Sequence, residues 1–152
     1  MKALKSPYIN SAIVSIISFV YASIFILTNN HLEFQRILNH GLTLNSSVWN
    51  GWSEFLRQGN LKYIGYIYIA AVICIIILSI MRKGNYDEYQ VSILTTSFII
   101  TGFSLLLLFP LALVLVLSDA NYAIETITFL IVAHWSIFLI ADLTCTVRWL
   151  KQ

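Results

Sequence analysis

Four apolar runs, at residues 9–28, 62–81, 91–117 and 125–147, are each long enough to cross a bilayer as a helix. Inside hydrocarbon every backbone amide must find its partner within its own segment, so runs of this length are expected to be helical. Composition agrees: 59% of the 152 residues are hydrophobic and 11% are charged, where a soluble domain carries roughly a quarter. The fold class that follows is all-α, an integral membrane protein built as a four-transmembrane-helix up-down bundle. One membrane domain, residues 1–152, accounts for the whole sequence, with little chain left for a soluble module.

Charge placement sets the expected orientation. Lys2 and Lys5 precede the first run, Arg82 and Lys83 follow the second, and Arg148 and Lys151 follow the fourth, so six of the nine basic residues fall on one side. The positive-inside rule makes that side cytoplasmic, with both termini inside and the plasma membrane as the expected location. The first run has the basic opening of a signal peptide, but it is too long for the apolar core of one and no small-residue cleavage pattern follows. It is expected to be a retained anchor. Cys74 and Cys145 both lie in apolar runs and form no CxxC, which favours packing over redox chemistry.

Residues 29–61 make the one long loop, and the expected topology puts it outside. Val48, Trp49, Trp52, Phe55 and Leu56 recur there at helical spacing, while Asn50, Glu54, Arg57 and Gln58 take the other side. An amphipathic helix is predicted, capped by Ser46 or Ser47 and stopped at Gly59-Asn60. It is expected to lie on the outer leaflet or across the end of the bundle, and Trp49, Trp52, Phe55 and Arg57 form its candidate surface for lipid or for a protein or peptide partner. Upstream, His31, Glu33 and His40 invite a metal reading. On a helix, however, His31 stands about 200° from Glu33 and about 180° from His40, so no metal site is expected and the three read as solvated.

Within the spans, Ser11, Ser15, Ser18 and Ala22 follow one another at intervals of four, three and four, a stripe of small residues suited to close helix approach. Gly65 and the pair Ala70-Ala71 offer the same in the second span. The loop at residues 82–90 is short and mixed, with Asp87 and Glu88 offsetting Arg82 and Lys83, so no nucleic-acid partner is expected. The third run carries Pro110, which cannot donate to the Leu106 carbonyl and is expected to bend that helix.

The fourth span holds three ionisable residues. Glu125 sits in its first turn, where a carboxylate favours the helix dipole. Asp142 lies near the other end, with Thr146, Arg148 and Lys83 as its simplest partners. His134 falls mid-span, and in an up-down bundle Ser18 and Ser104 share its depth. A neutral imidazole has one donor and one acceptor, which two hydroxyls satisfy. His134, Ser18, Ser104, Glu125 and Asp142 are therefore the candidate intramembrane polar site, although Glu125 and His134 point about 180° apart on one straight helix. HExxH, GxSxG, a glycine-rich phosphate loop and paired haem histidines are all absent, so neither a catalytic site nor a cofactor is expected. The leading functional expectation is a non-enzymatic accessory, regulatory or protective factor that binds a protein, peptide or lipid partner. A small oligomeric transporter or channel working through the fourth span is the alternative.

Overall fold

A computed structural model of the chain describes residues 5–29, 31–82 and 84–149, and it contains helices and no strand among them. Lys2, Lys83 and Lys151, used above to orient the chain, lie outside the described residues. Four helices are long and apolar enough to cross a membrane: α1 (Pro7–Asn29), α4 (Leu61–Met81), α5 (Glu88–Ser118) and α6 (Ala123–Trp149). They cover the four apolar runs and extend them by at most three residues at either end. Two short helices, α2 (Leu32–Leu38) and α3 (Ser47–Arg57), lie between α1 and α4.

The helix ends follow local chemistry. Ser46 caps α3 by accepting from the Trp49 amide, and Gly59 takes φ +71°, a left-handed stop that lets the chain turn into α4. Asp87 and Gln90 form a reciprocal capping box at the start of α5: Gln90 N donates to Asp87 Oδ1 at 2.7 Å and Asp87 N donates to Gln90 Oε1 at 3.1 Å. Asp119 caps a 3₁₀ turn, Ala120–Tyr122, that leads into α6.

Helices α1, α4 and α6 pack on one another, and α5 leans on α6. Helices α1 and α4 come close at Gly65, where a Cβ would stand 3.0 Å from the Ala22 carbonyl oxygen. Ser11, Ser18 and Ala22 of the small-residue stripe are buried, while Ser15 is half-buried. Aromatic rings fill the centre: Tyr21 lies 5.2 Å from Trp135, Trp135 4.7 Å from Phe138, and Phe138 stacks on Phe98 of α5 at 5.2 Å. Such offset contacts add about 0.5–1.5 kcal/mol each beyond the area they bury.

At the end that carries Lys5 and Trp149, Arg82 ties three elements together. Its Nη2 donates to Gln90 Oε1 at 2.6 Å, its Nη1 donates to the Trp149 carbonyl at 3.2 Å, and its guanidinium lies 4.7 Å from the Tyr86 ring. Tyr86 N donates to the Lys5 carbonyl at 2.8 Å, so the α4–α5 hairpin is pinned against the start of the chain. The opposite end is closed by α2 and α3, which cap the bundle.

Candidate functional site

The densest polar arrangement is at the cap end, around Glu125. This residue stands in the first turn of α6, yet its side chain is 0% exposed, because α3 and the α2–α3 connection lie over it. Ser53 Oγ donates to Glu125 Oε1 at 2.9 Å, and His40 Nε2 lies 2.7 Å from the same oxygen. Trp52 Nε1 donates to the Glu125 backbone carbonyl at 2.9 Å. His40 Nδ1 faces the Gly41 carbonyl at 2.9 Å, and Arg57 Nη2 donates to the His40 carbonyl at 2.5 Å. Tyr122 sets its ring edge-on to His40 at 4.8 Å and donates from its hydroxyl to Asn50 Oδ1 at 2.9 Å.

One carboxylate oxygen therefore binds donors from α3 and from the α2–α3 connection, while the other, Oε2, is buried without a partner. The arrangement is a clamp. The Ser53 hydroxyl donates its hydrogen bond to the carboxylate and not to His40, which is not the nucleophile and base pairing of a hydrolase. Nearby, Thr43 donates to the Asp119 carboxylate, which with the Asn121 amide holds that acid below the usual carboxylate range.

The aromatic face of α3 is used against the bundle. Trp49 and Trp52 meet Phe129 of α6 edge-on at 5.2 and 5.7 Å, and Phe55 stacks on Trp52 at 5.3 Å. Of the two placements expected for this helix, it takes the one across the end of the bundle. Trp49, Trp52 and Phe55 are half-buried, leaving the opposite side of the cap open. There Leu32, Gln35, Arg36, Asn39 and Arg57 surround a recess of about 480 Å³. Arg36 also lies 3.5 Å from Glu33, whereas Arg57 Nε is buried with no partner.

The polar residues expected to meet at mid-span do not. Ser18 accepts from Trp135 Nε1 at 3.0 Å, and Ser104 donates to the Thr101 carbonyl of its own helix at 2.7 Å. His134 is half-buried, with Nδ1 enclosed and unpartnered. Neighbouring helical residues differ by about 100° in direction, so turning Trp135 onto α1 turns His134 aside. Tyr68 and Ser136 supply a second mid-span link, their hydroxyls 3.0 Å apart, with Tyr68 also donating to the Val132 carbonyl.

Asp142 is buried at 1% exposure and takes a partner that spacing does not single out: Asn10 Nδ2 of α1 donates to its Oδ1 at 2.8 Å. Thr146 donates to the Asp142 backbone carbonyl at 2.9 Å, and Lys83 lies outside the described residues. Asn10 Oδ1 and Asp142 Oδ2 have no partner. Of the five residues proposed as one intramembrane site, no two bond to each other; Glu125 and Asp142 occupy opposite ends of α6.

His40 and Ser53 are the residues around Glu125 that the pattern misses. His40 reads as solvated when spacing is tested only within its own segment, and its partner lies 85 residues away. A serine at the border of the apolar face of the predicted α3 helix, about 40° from Trp49, is the available signal. No group of three or more His, Cys, Asp or Glu side chains poised to hold a metal occurs among the described residues. No family model, curated protein or solved structure matches the chain.

Proposed function

We propose that this multi-pass protein is a non-enzymatic binding factor of accessory, regulatory or protective type. Its working surface is the open side of the α2–α3 cap, on the outer face of the plasma membrane. One observation carries this reading. The buried carboxylate of Glu125, with His40, Ser53 and Trp52 around it, holds a cap in place rather than lining a route through the membrane. A fixed cap with two arginines and an exposed Leu32 beside a recess suits a protein or peptide segment bearing acidic and apolar side chains.

Crosslinking in native membranes followed by affinity purification tests the proposal. Leu32→Glu combined with Arg36→Glu is expected to abolish capture of the partner, since both side chains are exposed and neither holds the fold. His134→Leu is expected to leave capture intact. The opposite pattern overturns the reading.

A small oligomeric transporter or channel is the second reading. It is favoured by His134 Nδ1 and Asp142 Oδ2, buried polar atoms without partners on a spanning helix. It requires solute flux in proteoliposomes that His134→Leu or Asp142→Asn removes.

A further inference from the structure

Beneath the cap, α3, α5 and α6 enclose a recess of about 280 Å³. Trp49 of α3 forms its roof, Leu108, Leu111, Ala112 and Leu115 of α5 one wall, and Phe129 and Leu130 of α6 the other. Thr126 also lines it, and this residue is 1% exposed with a hydroxyl that has no hydrogen-bond partner. The other threonines of α6, at 128, 144 and 146, all donate to the carbonyl four residues back. A buried hydroxyl left without a partner is unfavourable, so a ligand that accepts from Thr126 relieves that cost.

From the geometry we infer that this recess is a lipid site, holding one acyl chain of a glycerophospholipid from the surrounding leaflet, with the Thr126 hydroxyl donating to the ester carbonyl of that chain. The lining is apolar apart from the Thr126 hydroxyl, which suits a hydrocarbon chain that carries one hydrogen-bond acceptor. A single unbranched chain fits. Depth agrees with the chemistry, because Thr126 is in the first turn of α6, at the boundary where ester groups lie, while Leu108 is seven residues, about 10 Å, deeper along α5 than Leu115. Trp49 closes the top at the level where indole rings favour the interface. The site does not depend on the partner proposed for the open side of the cap.

The test uses the full chain in phosphatidylcholine vesicles doped with a diester phosphatidylcholine that carries a mid-chain diazirine. After irradiation, adducts are expected to concentrate on 108–115 and 126–130, with few on Phe103 or Leu107, which are exposed outside the recess. Ala112→Phe, which fills the recess, is expected to remove them. Thr126→Val, which keeps the volume and removes the hydroxyl, is expected to weaken labelling by about fivefold, the value of one ordinary hydrogen bond. A dialkyl ether analogue of the probe is expected to label wild type as weakly as the diester labels Thr126→Val, and the variant is expected to label both equally. Adducts spread evenly over all lipid-facing positions mean ordinary boundary lipid and overturn the inference. So does labelling that Ala112→Phe leaves unchanged, or a second copy of the chain crosslinked across this face. If Ala112→Phe fails to fold, the ester-to-ether comparison in wild type and Thr126→Val decides alone.

Discussion

Glu125 concentrates much of the cap's stability in one side chain. Its Oε1 receives Ser53 Oγ at 2.9 Å and lies 2.7 Å from His40 Nε2, and both partners come from the segment between α1 and α4. Glu125→Ala strands the Ser53 hydroxyl, which is itself 0% exposed, and opens a void beneath α3. Leaving a buried donor unmade costs roughly 1–3 kcal/mol, and the lost packing adds to it. Thermal unfolding in detergent is expected to show Glu125→Ala destabilised by at least that amount, with Glu125→Gln intermediate because an amide oxygen still accepts from Ser53. Equal stability of wild type and Glu125→Ala sinks the clamp. The same residue shows where reading a sequence stops. Its position in the first turn of a helix is legible, and dipole placement follows from that alone. Its burial is not, because the covering residues lie 72 and 85 positions away. His134 fails in the other direction: its depth is legible, but depth fixes no direction around a helix. Trp135, with an indole donor that must be satisfied when buried, has the stronger demand on Ser18.

Helix pairs are more legible than side-chain pairs, since length and hydropathy act over twenty residues and tolerate local error. The close approach of α1 and α4 is the clearest case. Ala22 on one helix and Gly65 on the other are small where the two backbones come close, and a methyl group placed on Gly65 would stand only 3.0 Å from the Ala22 carbonyl oxygen. A carbonyl oxygen held in its own helix cannot retreat as a side-chain tip does. Gly65→Leu must therefore separate the helices, costing about 1–3 kcal/mol for overpacking, with further loss where Phe25 meets Tyr68 one turn along. Chemical denaturation in micelles is expected to show Gly65→Leu well below wild type, whereas Gly102→Leu, at an exposed position with nothing near its Cβ, stays close to wild type. Similar losses at both positions rule out close packing at Gly65. The cap is half legible: the period of α3, its Ser46 cap and its Gly59 stop are written locally, but its fixed attachment to α6 depends on Phe129 and Glu125.

Across the whole molecule, titration acts on the two ends separately. At the cap end, hydrogen bonds from Thr43 and from the Asn121 amide lower the Asp119 pKa, so its contribution is present above the unfolded value near 3.9 and is lost as pH falls. At the other end, burial pushes the Tyr86 phenol up, with the Asp142 charge adding to it. Folding then favours the protonated tyrosine, and its contribution holds below the unfolded value near 10 and is lost as pH rises past it. Unfolding curves across pH are expected to flatten on the acid side in Asp119→Asn and on the alkaline side in Tyr86→Phe. The two changes should add, because the sites share no partner. If the double variant keeps both limbs of the wild-type profile, these groups do not set them. The ends also carry the orientation argument: Lys5, Arg82 and Arg148 lie with the termini, and Arg36, Arg57 and Lys62 with the cap. Counting Lys2, Lys83 and Lys151 makes the bias six to three towards the terminal end, which predicts that end to be cytoplasmic. Single cysteines at Gln58 and Asn85, in a background lacking Cys74 and Cys145, check it. Both positions are exposed, and Asn85 is preferable to its neighbour Gly84, whose φ of +103° disfavours any side chain. A membrane-impermeant maleimide added to intact cells is expected to label position 58 and to reach position 85 only after lysis. Labelling of position 85 in intact cells reverses the orientation and removes the cap from the outer face, taking an external partner with it.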